Sequence, residues 1–321
     1  FFGRFASLAP SSHNSQPWRF EVTADTVDII PDFKRALAES DSDNRQLFIS
    51  LGCALKNLLV AADHYGFSTE IDQKDNGEVN KKVRISFKKI NKIRFRDPYT
   101  IHIVPLCRTN RNKYLSKLPG KAFIHTLRSC KSSSGININI INDDLSKDKI
   151  IDIVCAAQAT AMSDPLFRKE LSGYIHPNTT KKPVGMTGRG FNMPTIPSFF
   201  FPWIMRYINM GTLIADSERT LLKKHTPIFV VISSDEDNWT DWLNVGMTYQ
   251  SMNLFANQNN AFTHPLASVI EIGEFHKDLQ KALGIKSRPQ FFCRLGFSNT
   301  SPHHSPRLDI SEIAKVNTSL I

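Results

Sequence analysis

The stretch Ala9-Pro10-Ser11-Ser12-His13-Asn14-Ser15-Gln16-Pro17-Trp18 decides how the rest of this chain is read. Every residue from Ser11 to Gln16 carries a side chain that can hydrogen bond, and Pro10 and Pro17 bracket the run. Each proline fixes its own φ and restricts the residue before it, so the loop loses little entropy in holding hydroxyls and amides in a fixed array. A flat heteroaromatic ligand with ring N–H and C=O groups needs such an array. The same composition also describes a satisfied turn packed under the N-terminus. Taken alone it favours the turn, because Ser, Asn and Pro dominate turns generally.

Outward from the loop, helical and strand patterns alternate to the end of the chain, as in a layered α/β or α+β domain. Trp18 to Val22 alternates polar and apolar, breaks at Ala24-Asp25 and resumes from Val27 to Ile30, which reads as a hairpin. Between Asp43 and Tyr65, Leu47, Phe48, Leu51, Leu55, Leu58, Leu59 and Ala62 recur at helical spacing, and Gly66 ends the helix. Val83 to Phe87 and Gly135 to Ile141 read as strands, and Ile150 to Met162 as a helix. Ile228 to Ile232 is a continuous apolar run, the mark of a strand buried on both faces. Trp239 to Gln258 forms a second long helix, and Phe291 to Leu295 a last buried strand. Pro177 to Pro202 is rich in Pro, Gly and Phe and reads as a long irregular segment of the kind that carries function or stays disordered. Laying Gly52 on Gly246 superimposes the long helices, with Phe48 on Trp242, Leu51 on Val245, Leu58 on Met252, Val60 on Leu254 and Ala62 on Ala256. That hints at duplication, although any two core helices share apolar spacing. A mid-helix glycine costs about 1 kcal/mol relative to alanine, so two at matching places imply close approach in both halves.

Composition narrows the partners. At 321 residues the chain has room for about two domain-sized units. Its 41% hydrophobic and 22% charged residues suit a soluble globular protein. The net charge of +10 fits nucleic acid, an anionic membrane surface or anionic small ligands. No RNA-binding aromatic signature or zinc-finger spacing accompanies it, so nucleic acid is set aside. Five cysteines without C-x-x-C spacing argue against a metal site or disulfide framework and for a reducing, cytoplasmic setting. The chain opens on Phe1 rather than Met, which leaves an N-terminal signal segment open. Phe191 to Met205 is uncharged but interrupted by Pro194, Pro197 and Pro202, and it is too short to span a bilayer. His264 and His303-His304 lack partners at ligand spacing, so no metal is expected. Cys53 reads as core packing, Arg45 as a partner of Asp41 or Asp43, and Arg294 as a buried arginine that must find partners.

The opening stretch resembles the flavin loop of the nitroreductase superfamily, A-P-S-x-x-N-x-Q-P-W. Arg45, Gly52, Ala54, Asn57, Gly246 and the run from Pro289-Gln290 to Arg294-Leu295-Gly296 also fit that family. The resemblance covers nearly the whole chain and is nearest the Acg-like branch, in which one chain carries two nitroreductase-like halves. It implies an α+β fold, an α/β sandwich with a mixed sheet flanked by helices and a pseudo-dimeric internal duplication. Residues 1–105 would form the half with the flavin-ring loop, and 106–321 the half with a phosphate clamp. It further implies bound FMN, with NAD(P)H as electron donor and a nitro, quinone or similar small molecule as acceptor.

The resemblance extends to site residues. Arg108-Thr109-Asn110-Arg111 is similar to the family's R-S-x-R, and Ser305-Pro306-Arg307 resembles its C-terminal phosphate-binding segment. Arginine suits a phosphate dianion through charge-assisted, bidentate hydrogen bonds; without the loop, an R-T-N-R string would read as a solvated basic turn. The implied cofactor contacts are Ser11, Ser12, Asn14, Gln16, Arg108, Thr109, Arg111 and Arg307, with no side-chain acid or base required. Cys107 stands where many members have the first arginine, and Ser305 where a lysine is common, so the clamp departs from the pattern. The expected count is one flavin site per chain, in a monomer or homodimer. Residues 183–211 are the expected lid, with Phe191, Phe199, Phe200, Phe201 and Trp203 over the ring; core packing or a membrane-surface patch are its other readings. A tight lid would make the chain a store for flavin instead of an enzyme.

Overall fold

The computed structural model describes residues 1–75, 77, 81–90 and 101–316. In chain order the elements are α1 (Phe2–Ala6), β1 (Trp18–Val22), β2 (Thr26–Pro31), α2 (Arg45–His64), β3 (Phe67–Lys74), β4 (Lys82–Lys89), α3 (Lys121–Ser129), β5 (Ile136–Ile141), α4 (Asp144–Ser163), α5 (Pro165–Gly173), β6 (Ile175–His176) and β7 (Met186–Thr187). There follow α6 (Thr195–Tyr207), α7 (Gly211–His225), β8 (Ile228–Ser234), α8 (Trp239–Gln258), β9 (Ala261–Pro265), α9 (Ser268–Glu271), α10 (Phe275–Leu283), β10 (Arg288–Phe297), α11 (Ile310–Ile313) and β11 (Ala314–Val316). The class is α+β, as expected, with helices flanking sheet. The strands divide into two main sheets, ordered β11-β1-β2-β4-β3 and β5-β8-β10-β9, with β6 and β7 pairing separately.

The core lies between the sheets and is built on α2 and α8. One continuous apolar cluster joins Trp18, Phe20, Ile29 and Ile85 of the first sheet to Leu51 and Leu55 of α2. It runs on through Leu243 and Met252 of α8 to Ile228, Val230 and Ile232 of the second sheet. Strand β8 explains the continuous apolar run in the sequence. Its even-numbered residues face this cluster, while Phe229 and Val231 face a second one with Val154 of α4, Leu222 of α7 and Leu279 of α10. A strand covered on both faces has no polar side to show.

The two long helices cross at their glycines. A Cβ on Gly52 would collide with the carbonyl oxygen of Leu243, and one on Gly246 with that of Ile49. The offset that lays Gly52 on Gly246 also lays Ile49 on Leu243, so the crossing is two-fold about itself. Helix α2 begins where both Asp41 carboxylate oxygens accept the amides of Gln46 and Leu47, each at 2.8 Å. Gly66, at φ +78, follows its last turn. Arg45 pairs with Asp43, as the sequence suggested, and with the distant Asp237 instead of Asp41, whose oxygens are taken by the helix start.

Two expectations change. The stretch read as irregular from Pro177 to Pro202 becomes helical at Thr195. Pro194 precedes the helix and Pro197 lies in its first turn, where a missing amide costs nothing, and Pro202 is carried inside. Strand β11 gave no sequence signal. It returns from the end of the chain to pair in parallel with β1, so the first sheet takes its edge from beyond residue 105.

Candidate functional site

The Ser11–Gln16 loop is a short 3-10 turn held in unusual backbone. His13, Asn14 and Gln16 have φ of +51, +55 and +52. Non-glycine residues in the left-handed region cost roughly 1–2 kcal/mol each, so the fold must hold them there. Ser11 does so twice, its carbonyl accepting from the Asn14 amide and its Oγ from the Gln16 amide, both at 3.0 Å. The Trp18 amide donates to the Gln16 carbonyl as β1 begins.

Two side chains of the loop tie distant segments together. Asn14 Nδ2 donates to the carbonyls of Gly185 and Pro306, both at 2.9 Å, and its Oδ1 accepts from Arg307 Nη1 at 2.8 Å. Gln16 Nε2 donates to the Pro183 carbonyl at 2.7 Å, while its Oε1 accepts the Leu308 amide at 2.9 Å. Gln16 is fully buried and is absent from the cavity walls. The loop, the start of the 183–211 segment and the C-terminal segment thus meet at one place.

Beside this junction two cavities adjoin. A narrow cleft of about 130 Å³ is lined by Ser11, Asn14, Arg108, Thr109, Arg111 and Arg307. A chamber of about 650 Å³ opens from it and shares Ser11, His13, Thr109 and Arg111 as a common wall; Ser12 lines the chamber alone. The eight residues singled out in the sequence therefore gather here, seven of them on the cavities and Gln16 behind the loop.

The guanidinium groups set the electrostatics of the cleft. Arg108 donates to the Pro302 carbonyl at 2.7 Å and to Ser301 Oγ at 3.2 Å. Arg111 donates to the Gly190 carbonyl at 3.3 Å and lies 4.9 Å over the Phe191 ring. Arg307 donates to Asn14 Oδ1 and to the Leu8 and Ala9 carbonyls. Among the described residues none of the three is ion-paired with a carboxylate, and the Nε atoms of Arg108 and Arg307 are buried without a partner. Burial pulls Arg111 and Arg307 down to about 10, so both remain charged at neutral pH. Concentrated positive charge with spare donors has the chemistry an anion needs, and Glu218 of the adjoining chamber is near enough to act on Arg111 through space.

The chamber has features no motif announced. Glu218 of α7, Glu271 of α9, His264 of β9 and Tyr249 of α8 line it. Burial raises both carboxyl groups, Glu271 well above the usual range, and holds His264 well below the usual histidine range. Burial likewise lowers His13 to about 4, with Glu170 opposing and Arg111 assisting. Glu218, Glu271, His264 and Tyr249 come from four separate elements, so no local pattern could have marked them. Arg294 finds its partners in His264 Nδ1 at 3.1 Å, the Asn112 carbonyl at 2.9 Å and the Tyr114 ring.

The expected lid aromatics separate. Phe191 and Phe201 line the chamber, edge to face at 5.5 Å, while Phe199, Phe200 and Trp203 are exposed on the far side of α6. The helical period divides them, which an irregular segment would not do. Among the described residues no group of three or more His, Cys, Asp and Glu could hold a metal ion, and all five cysteines are free thiols. Only α2, among the described helices, is long and apolar enough to cross a membrane, and it is packed in the core.

No family model matches the chain. Over 319 residues it is 22% identical to "Putative NAD(P)H nitroreductase acg" of Mycobacterium tuberculosis, covering 98% of this chain and 94% of the relative. An uncharacterized protein of the same organism is 20% identical over 322 residues, 97% of this chain and 91% of the relative. Among solved structures, an FMN and NADPH-dependent nitroreductase, NfnB, from a Sphigopyxis strain aligns over 66% of this chain and 96% of its own. Its identity is 13% and its TM-score 0.44.

Proposed function

We propose that this chain, a full-length relative of the Acg-like proteins of the nitroreductase superfamily, binds FMN across the cleft and chamber and is an NAD(P)H-dependent flavin oxidoreductase. The observation that carries this reading is the set of guanidinium groups with no ion-paired carboxylate among the described residues, beside a serine loop over a cavity large enough for a planar ring. The donor set fits a phosphate-bearing ligand. Arg108, Thr109, Arg111 and Arg307 would hold the phosphate, and two of these arginines have a buried Nε free to donate. Ser11, Ser12 and the amide between them would meet the ring edge. Asn14 borders the cleft but spends its side chain on Gly185, Pro306 and Arg307. It therefore fixes the angle between loop and clamp, and Gln16 does the same from behind. When bound, the flavin supplies hydride and electron transfer between a nicotinamide and a small acceptor such as a nitro compound or quinone. The protein's own part is to orient both, and to exclude water with Phe191 and Phe201. Residues 1–105 would supply the ring loop and 106–321 the clamp and the 183–211 cover.

The test is FMN titration of the purified full chain, followed by anaerobic addition of NADPH. A yellow protein whose absorbance bleaches supports the reading. Arg111→Ala and Arg307→Ala should each raise the Kd for FMN roughly 10- to 100-fold, the worth of one charge-assisted contact of about 1.5–3 kcal/mol. Absence of FMN binding refutes the site, whereas tight FMN that NADPH does not bleach refutes turnover and leaves sequestration of the flavin.

A further inference from the structure

Helix α6 turns one face to the chamber, with Phe201 and Met205, and the other to solvent. The outer face carries Ile196, Phe199, Phe200, Trp203 and Tyr207, which are 76%, 52%, 62%, 59% and 60% exposed. Their spacing of three and four residues makes one stripe along the helix. Ile208, just past the last turn of the helix, is exposed as well. Scattered exposed apolar residues are ordinary, but a contiguous aromatic stripe marks an interaction surface.

The surrounding charge says what the stripe meets. Between Glu170 of α5 and Asp216 of α7 the chain contains no Asp or Glu, and its Lys181, Lys182 and Arg206 are exposed; the exposed Arg189 lines the cleft instead. Arg206 sits on α6 itself, 5.4 Å over the Tyr207 ring. We propose that the outer face of α6 lies in the headgroup region of an anionic membrane, with its aromatic rings among the upper acyl chains and Arg206, Lys181 and Lys182 against lipid phosphates. The helix lies on the surface and does not cross it. Its 13 residues rise only about 20 Å against a hydrocarbon core of about 30 Å. Trp and Tyr beside Arg are the residues that settle at such an interface. A second copy of the chain fits less well. Two-fold pairing would set one acid-free basic segment against another, in a protein of net charge +10.

The experiment uses the full chain with vesicles of phosphatidylcholine, with and without phosphatidylglycerol, read by co-sedimentation and tryptophan emission. Trp18 and Trp239 are buried and Trp242 is half-buried, so the part of a blue shift that Trp203→Ser removes is the part that reports on Trp203. Binding should require the anionic lipid, weaken with added salt, and disappear in Phe199→Ser/Trp203→Ser. Lys181→Ala and Lys182→Ala should each lower the vesicle partition coefficient about 5-fold. An unchanged thermal midpoint in the double variant separates lost binding from lost folding. The proposal is overturned if anionic vesicles do not bind the native chain, or if the double variant binds as well as it. It is equally overturned if sedimentation velocity shows the stripe consumed in a dimer that the double variant dissolves.

Discussion

Replacing Asn14 by glycine should unfasten the site without unfolding the protein. Glycine keeps the left-handed backbone at φ +55 accessible, so the substitution removes the side chain alone. Three hydrogen bonds go with it. The two to the Gly185 and Pro306 carbonyls are worth about 1 kcal/mol each, and the one from the Arg307 guanidinium about 1.5–3 kcal/mol. The sum is roughly 3.5–5 kcal/mol, spent on holding the 183–211 segment and the C-terminal segment to the loop. The loss should appear as local opening, because the core clusters do not depend on it. The Gly185 amide, which donates to the Asn14 carbonyl at 3.2 Å, is the natural reporter. Its hydrogen-exchange protection should fall by two orders of magnitude or more, while amides of β8 keep theirs. Asn14→Ala should lose more, because alanine adds a left-handed backbone cost of roughly 1–2 kcal/mol. A fall of less than about 10-fold at Gly185 in the glycine variant would refute the reasoning, since about 1.4 kcal/mol is then the most the three bonds can contribute.

Two further outcomes can be measured. Burial lowers the His13 pKa from 6.5 to about 4, so below pH 6.5 the unfolded chain takes up a proton that the folded one refuses. Stability from this group is complete above pH 6.5 and is lost as pH falls toward 4, by roughly 3 kcal/mol. Urea melts of His13→Gln should be flatter than those of the native chain across that window, and an equal slope would show that His13 does not titrate as described. At the crossing of α2 and α8, Gly246→Ala drives a methyl into the Ile49 carbonyl, where backbone cannot rotate aside. The gain of about 1 kcal/mol in helix propensity is outweighed by overpacking, for a net loss of about 2 kcal/mol or more in urea denaturation. A stabilised variant would mean the helices are not in contact there.

The fold was legible where one residue pattern has one physical meaning. The hairpin of β1 and β2, the two long helices and the buried β8 were marked by period and by turn residues, and their bounds fall within a few residues of the reading. Gly52 and Gly246 announced close approach because nothing else repays a glycine in mid-helix. The 177–202 segment misled because its prolines were counted as breakers, although Pro194 and Pro197 sit where a helix start tolerates them.

For the site, the residues taken one by one favoured a packed turn and a solvated basic run; it was their order, in its resemblance to the nitroreductase superfamily, that picked them out in the sequence as a ring loop and an anion clamp. Tertiary structure decided which of them face the cavity. It turned Gln16 into a hidden brace and split the lid aromatics between chamber and solvent. It also brought Glu218, Glu271 and His264 to one chamber from three separate elements. The reason is physical: side-chain chemistry is local and travels with the sequence. Burial and the meeting of distant segments arise only when the chain closes on itself, and they set the pKa values and the positions of charge.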